Sequence, residues 1–521
     1  MKTKILLIAI LILAFGLRFY KLGQIPSGFV NDEAAIGYNA YSLLKTGKDE
    51  FGKAWPLVFR SFGEGKLPVY IYLTIPSILI FGLNEFAVRF PSAFFGALTV
   101  FLVYSLGFKI QNWKLGISAS FILAIMPWHL QFSRAAFEAN LALFFVLLAV
   151  LLWLLKKYWL SIISFILAIF TYNAARIFVP FLVLYLLIKD RKKIILIVLI
   201  PWFLLNLIGN NNNRVFGISI LNPQSGVMLK LEEQFRETRN QPLWLTRLFH
   251  NKPTGYFLDF SQRYLSHFNP DFLFFIGDPN RPRYRTPGVG QNLLIVLPFL
   301  IIGSYLAVKR KLWLILIWLL TAPIASAITF ETPSAIRAYF MIIPLVLLSA
   351  LGLNYFLGRF SKTKVIILIL FLFNFFYYLD AYYIHGPMRE PYEWQGGYKE
   401  LVRKINLLKM DYDKFLITDS RGTAYIYFLF FNAYDPAKWQ QQSNQAITKT
   451  DKFGFSSISR LENLFFISEP CPAKNLFPED RVLYVCTEID HPQKGYQVFP
   501  ETINYSNNKP SFFLFKKQSS I

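Results

Sequence analysis

The sequence predicts an all-α polytopic membrane domain of about 11 transmembrane helices, followed by a small C-terminal α/β extracytoplasmic domain. Three observations carry this. Of 521 residues, 54% are hydrophobic and only 16% are charged; a soluble chain carries about 25% charge, so lipid must solvate much of this one. Long apolar runs recur from residue 4 to residue 380 with short basic stretches between them. Beyond residue 380 they stop, and the helical pattern GGYKELVRKINLLK with the short runs FLITD, LFFIS, VLYV and FFLFK gives an α/β signature.

The first segment, MKTKILLIAILILAFGLRFYKLG, has a basic start and an apolar run that passes into Arg18 and Lys21. It has no small-x-small cleavage site, so it reads as a retained signal anchor with a cytoplasmic start. Spans are expected near 4–20, 86–108, 115–132, 138–155, 158–172, 175–188, 194–209, 291–308, 312–328, 338–357 and 364–380. The run LPVYIYLTIPSILIFG at 67–82 is interrupted by Pro76, and loop charge decides its reading. If it does not cross, Lys109, Lys114, Lys156, Lys157, the KDRKK cluster at 189–193, KRK at 309–311, and Arg359 with Lys362 and Lys364 all share the side of Lys2 and Lys4. The segments 30–47 and 67–82 are therefore expected as two juxtamembrane helices inside one external loop, 21–85. A second external loop, 210–290, contains the helical stretch LEEQFRETR and ends in GDPNRPRYRTPGVGQ, with Arg281, Arg283 and Arg285 at alternate positions. Loops of that size are usually functional. The expected division is a transmembrane catalytic domain at 1–380 and an external domain at 381–521.

The net charge of +23 does not point to nucleic acid, because the lysines sit between apolar runs. They read as topology signals and anionic-lipid contacts. The two cysteines, Cys471 and Cys486, have no metal-ligand spacing, and the five histidines are scattered. In an external domain a disulfide and a pair of buried thiols are both open.

The candidate chemistry begins in VNDEAAIGYNAYSLLKTG, 30–47. Ile36, Ala40, Leu43 and Leu44 recur at helical spacing, and Asn31 or Asp32 is placed to cap the first turn. Asp32 and Glu33 lie within about 60° of the apolar stripe, which puts two charges at the lipid-facing edge of an interfacial helix. Plain N-capping accounts for such a pair taken alone. Single arginines, however, Arg18, Arg89, Arg134, Arg176 and Arg337, are expected near the external ends of spans, where the charge bias does not call for them. One by one they are snorkelling side chains; five on one face beside an acid pair make an anion site. Transfer of a sugar from a lipid phosphate needs a base for the acceptor proton and cations for the departing phosphate. Arginine binds phosphate oxygens through a planar fork, and a carboxylate at a helix N-terminus stays ionised.

The order of these pieces resembles the GT-C class of integral-membrane glycosyltransferases, particularly bacterial relatives of the protein O-mannosyltransferases and of the lipid A aminoarabinose transferase. The resemblance covers roughly residues 1–360. It rests on Arg18, the Asp32-Glu33 pair, GEGKLPVYIY at 63–72, NEFAVRFPSAFFGALTV at 84–100 and SRAAFEANLALFF at 133–145. It implies that Asp32 is the catalytic carboxylate with Glu33 beside it, that Lys66, paired with Glu64, contacts the donor phosphate, and that Glu138 and Arg337 match further site positions. Arg89, Arg134 and Arg176 join as phosphate ligands, with Arg283 and Arg285 as further candidates in the second loop. The implied donor is a polyprenyl-phosphate sugar, with inversion, at the outer face of the plasma membrane. A His-Pro-Pro form around Lys66 and a β-trefoil insertion are both missing, so the sugar and the acceptor (protein, lipid or glycan) stay open. A transporter or flippase, or a polymerase or ligase of lipid-linked glycans, are the alternatives. No cofactor is required, although Asp32, Glu33, Glu64 and Glu138 leave a divalent cation open.

Overall fold

The computed structural model describes residues 2–62, 64–208, 219–222, 226–238, 242–329, 331–419, 422–447, 457–467, 481–487, 496–498 and 502–517. Packing divides the chain into two compact units: Met1–Tyr20, Ser92–Ser133 and Phe137–Tyr382 form one, and Lys21–Pro91, Arg134–Ala136 and Tyr383–Ile521 the other. The first external loop expected from sequence is thus grouped with the C-terminal region.

The first unit is helical. Its apolar runs form α1 (Lys2–Phe19), most of α4 (Glu85–Ile110), α5 (Trp113–Ile125), α6 (Pro127–Ser133), α7 (Glu138–Leu154), α8 (Tyr158–Ile169) and α9 (Asn173–Asp190), numbered here with α2 and α3 of the other unit. Helices Leu297–Lys309, Trp313–Thr321, Ile342–Arg359 and Lys364–Asp380 follow. The continuous span expected at 115–132 is broken: α5 and α6 meet at 61°. The cause is local, because Pro127 holds Met126 in extended backbone (φ −69, ψ 123) and supplies no N–H. Among the described residues three helices, Glu85–Ile110, Tyr339–Arg359 and Ser361–Arg389, are long and apolar enough to cross a membrane, four if the bent pair is one span; the other apolar helices described are shorter. Small residues let two of these helices touch backbone to backbone. A methyl at Gly303 would run into the Leu348 carbonyl, and one at Gly352 into the Phe299 carbonyl.

In the second unit, α2 (Asn31–Thr46) has its cap one residue before the first of the two expected, Asn31 and Asp32. Val30, in extended backbone (φ −74, ψ 154), is the N-cap, and the Glu33 carboxylate reaches back to accept from its N–H at 3.3 Å. Gly47, at φ 69, closes the helix with its N–H on the Leu43 carbonyl at 2.9 Å. The expectation of an amphipathic interfacial helix does not hold for α2. Glu33 through Ala40, Ser42 and Leu43 are buried, so polar residues of the supposedly wet face lie inside: Tyr38 donates to the Tyr434 carbonyl at 3.1 Å, and Gln440 donates to Ser42 at 3.0 Å. A side chain at Gly37 would collide with Phe430 and Val88. The second expected helix is α3 (Pro68–Phe81), with Pro68 at its start and Pro76 inside it. The hairpin β1 (Phe59–Ser61) and β2 (Glu64–Lys66) leads into it.

All four short apolar runs become strands. With β3 (Lys414–Thr418), β4 (Arg460–Leu461), β5 (Leu464–Ile467), β6 (Val482–Thr487), β7 (Tyr496–Val498), β8 (Ile503–Asn504) and β9 (Pro510–Lys517), the sheet order is β4-β5-β3-β6-β9-β7, and β8 pairs with β9. β3 is parallel to β5 and β6, whereas β9 runs antiparallel to β6 and β7. Leu416, Tyr484, Cys486 and Phe515 pack on one face. Cys486 is disulfide-bonded; Cys471 lies outside the described residues.

Glu50 joins the loop after α2 to the C-terminal helix Tyr425–Phe431. It is fully buried and accepts from Asn39 Nδ2 at 2.9 Å and from the Tyr425 hydroxyl at 3.2 Å. Burial, ahead of every other influence, pushes its carboxyl from the ordinary 4.5 up to about 7. Between those values the folded chain keeps a proton that the unfolded chain has released, so stability falls as pH rises from 4.5 to about 7. Glu50→Gln should flatten that decline, which amounts to about 3 kcal/mol at most; thermal unfolding in detergent across the window measures it.

Candidate active site

The site is built on the first turn of α2 in the second unit. Glu33 and Arg89, neighbours across 56 residues, form a bidentate ion pair: Nε on Oε1 and Nη2 on Oε2, both at 2.9 Å. Both are buried, at 2% and 0% exposure. Glu33 also accepts from the Val30 N–H and, at 3.0 Å, from the Ala136 N–H. Arg89 gives its other hydrogens to the carbonyls of Leu22 and Pro26, both at 3.2 Å, and of Gly28. All five guanidinium N–H groups are thus in use. Arg89, expected to grip the donor phosphate, has no donor left for one. Glu33, expected beside the catalytic acid, has its lone pairs engaged by four N–H groups. The pair braces the turn.

Asp32, one residue earlier, is 48% exposed, and Lys66 at the end of β2 donates to its Oδ1 at 2.6 Å. Lys66 is buried to 9% over the Phe62 ring, 5.6 Å from its centroid. An ammonium has three donors, and among the described residues only this one of them meets a protein acceptor in a hydrogen bond. The Asp32 amide is capped locally by Asn31 Oδ1 at 3.0 Å, and the Asn31 amide by Gln395 Oε1 at 2.6 Å. Gln395 sits in left-handed backbone (φ 52), and its Oε1 also accepts from the Tyr427 hydroxyl at 2.5 Å. Burial, then Tyr398 and the charges of Asp32 and Glu33, keep Tyr427 well above its ordinary range, so it remains a donor. Sequence reasoning missed Gln395 and Tyr427. Neither carries charge or motif, and their only signal is spatial.

Of the remaining candidates, Arg134 is in this unit, 1% exposed, donating to the Ile25 carbonyl at 3.1 Å and lying over the Tyr383 ring. Glu64 is on β2, and its side chain lies outside the described residues. Glu138, Arg176, Arg283, Arg285 and Arg337 belong to the first unit. There Glu138 opens α7, and nothing among the described residues accepts from the Arg176 guanidinium, whose Nε is buried. Arg283 lies over the Tyr284 ring and donates to its hydroxyl at 3.1 Å, and Arg285 faces Asp278. Arg337 donates to Thr329 at 2.9 Å and to Glu331 at 3.3 Å, and Glu331 also accepts from Arg281 at 2.7 Å. Burial would raise the Glu331 carboxyl, but the two arginines outweigh it and hold it below the usual range. Arg18 does not snorkel: it is fully buried in the first unit, on the carbonyls of Ala14, Leu123 and Ala124 and on His129 Nδ1 at 2.7 Å. Among the described residues no group of three His, Cys, Asp or Glu side chains is placed to hold a metal ion.

Residues 8–171 match the sequence model of the dolichyl-phosphate-mannose-protein mannosyltransferase family, so the resemblance read from the motifs is recovered over the first third of the chain. No curated protein matches the sequence. Among solved structures, the chain is similar to ArnT from Cupriavidus metallidurans bound to undecaprenyl phosphate, at 11% identity and TM-score 0.47, covering 99% of this chain and 98% of that one. It is also similar to the Archaeoglobus fulgidus oligosaccharyltransferase in complex with Zn and sulfate, at 14% identity and TM-score 0.47, over 82% of this chain. The archaeal enzyme AglB with an inhibitory peptide and a dolichol-phosphate matches at 14% identity and TM-score 0.46, again over 82% of this chain. The chain spans 61% to 63% of the length of these archaeal proteins. The family match and the run of apolar helices make this a multi-pass membrane protein.

Geometry separates the two acids by role. Glu33→Gln leaves the Arg89 charge buried without its counter-ion and should destabilise the fold by about 3–5 kcal/mol, whereas Asp32→Asn, at an open position, should change stability by less than about 1 kcal/mol. Thermal unfolding of the two variants in one detergent distinguishes them.

Proposed function

We propose that this chain is a glycosyltransferase that moves a sugar from a polyprenyl-phosphate donor to a hydroxyl acceptor, with Asp32 as the base and Lys66 as the cation on the donor phosphate. One observation carries the reading: an exposed carboxylate at a helix N-terminus touches a buried lysine whose other donors meet no acceptor among the described residues, and the next residue of that turn, Glu33, is fixed by a buried ion pair with Arg89. The family matched over residues 8–171 transfers mannose from a lipid phosphate, by its name.

The chemistry follows from these groups. The acceptor hydroxyl gives its proton to Asp32 as its oxygen bonds to the anomeric carbon. The bond from that carbon to the phosphate oxygen breaks, and its electron pair stays on the phosphate. Lys66 meets this growing negative charge with the donors that Asp32 does not use, and no protonation of the leaving group is needed. A single displacement from the face opposite the phosphate inverts the anomeric centre. Asp32 then returns its proton to solvent, for which its exposure suits it. Arg176 and Arg337, in the first unit, are kept as anion-ligand candidates from the sequence: among the described residues nothing accepts from the Arg176 guanidinium, and Arg337 shares its partner Glu331 with Arg281. Glu64 is kept as the acidic neighbour of Lys66, and Glu138, Arg283 and Arg285, which belong to the first unit, are kept as candidates from the sequence alone. The plasma membrane, with the lysine clusters in the cytoplasm and the site outside, completes the reading.

Asp32→Asn should lower transfer by about 10²–10⁴-fold at unchanged membrane abundance, and Lys66→Met by about 10²–10³-fold. Membranes supplied with a panel of undecaprenyl-phosphate sugars, with products read by mass spectrometry, provide the assay. Retained transfer in Asp32→Asn would remove the base. Movement of labelled lipid across a bilayer with its sugar bond intact would replace the enzyme with a flippase.

A further inference from the structure

The first unit carries a groove whose lining includes none of the candidate site residues. It has a volume of about 770 Å³ and lies among the ends of α4, α7, α9 and helix Trp313–Thr321. Its walls are almost wholly apolar, with Leu184 and Tyr185 from α9 and Trp313 and Ile317 opposite. Such a space would hold on the order of 25 waters by volume, but it has too few polar partners to keep them.

Three lysines from three separate parts of the chain reach this groove: Lys109 from the last turn of α4, Lys189 from the last turn of α9, and Lys311 from the turn before Trp313. No acidic residue is among its lining residues. Asp190, beside Lys189, is occupied by Trp153, whose Nε1 donates to it at 2.5 Å. Helix-end lysines also complement the C-terminal dipole of their helices. That role needs neither their convergence nor an apolar trough beneath them. A cationic rim over an apolar groove, between helices of a membrane protein and on the side where its basic clusters collect, has the chemistry of a site for one anionic lipid.

We propose that this groove binds an anionic phospholipid, its phosphate between Lys109, Lys189 and Lys311 and one acyl chain along Leu184 and Ile317. The site stands whether or not the chain transfers a sugar, and its ligand is a lipid of the bilayer rather than the donor.

The full chain, purified in detergent and stripped of lipid, is titrated with phosphatidylglycerol and with phosphatidylcholine and read by native mass spectrometry. Phosphatidylglycerol should bind one per chain and phosphatidylcholine far more weakly. Replacing the three lysines by glutamine should weaken phosphatidylglycerol by about 100-fold, since each lysine near a charged headgroup contributes about fivefold; replacing them by arginine should retain binding. Leu184→Trp, at a position 53% exposed and therefore tolerant of substitution, fills the trough with the lysines intact and should also abolish binding. Equal binding of the two lipids, undiminished binding in the glutamine or the Leu184→Trp variant, displacement of the lipid by inorganic phosphate alone, or occupation of the groove by a second copy of the chain would each overturn the proposal.

Discussion

The Glu33–Arg89 pair is the constraint on which the arrangement of the second unit depends. Its polar atoms are engaged by Val30, Ala136, Leu22, Pro26 and Gly28 besides each other, so one contact ties the loop before α2, the first turn of α2, the second turn of α4 and the segment at 134–136. A buried ion pair of this kind contributes little net stability against an apolar replacement, because desolvating two charges offsets their attraction. What it contributes is a unique arrangement. With both oxygens of Glu33 engaged, α2 can neither slide nor rotate without stranding a buried charge. Asp32, about 100° round the same turn, is therefore held facing out.

The C-terminal region acts on the same helix from another side of the unit. Gln395 caps the Asn31 amide, Phe430 lies against Gly37, and Tyr425 and Tyr434 take up Glu50 and Tyr38. A methyl at Gly28 would strike the Trp394 carbonyl, so the chain before α2 also needs that close approach. The region beyond residue 383 is part of the packing that buries α2 rather than an appendage to it. Those side chains project from the turn at 391–395, from helix Tyr425–Phe431 and from the turn that follows it. Order in the site thus derives from residues at both ends of the chain.

This explains which features were legible in the sequence. Helix positions were, because each apolar run is its own signal, and α3, α4, α7 and α9 fall within a few residues of expectation. The four short strands were legible for the same reason. The Asp32–Lys66 approach was legible only through the order of motifs. The division of labour between Asp32 and Glu33 was not, because the apolar stripe Ile36, Ala40, Leu43 describes one face of α2, and the structure buries nearly all of them. The partners that do so, Tyr425, Phe430 and Tyr434, are close to 400 residues away, and no local pattern reveals them. The break at Met126 was present in the sequence as a proline, yet hydropathy averaged across it. The apolar character of Pro127 and Trp128 masked a backbone instruction.

The choice of cation at each place follows the same physics. Where a charge is sealed inside the protein, the residue is arginine: Arg18, Arg89 and Arg134 are each no more than 1% exposed and each meets backbone carbonyls. A guanidinium has five donors in a fixed fork and cannot lose its proton, so it can tie several carbonyls at once without a change of charge state. Those attributes suit bracing and unsuit release. Beside Asp32 the cation is a lysine, a compact charge on a flexible stem with one hydrogen-bond acceptor among the described residues. Such a group can swing from a carboxylate to a phosphate through small torsional changes and return, which a bidentate arginine could do only by breaking two bonds together. Arginines around the turn and a lysine at its open rim are therefore the distribution expected if the turn must be rigid while its charge must be shared with a ligand that arrives and leaves.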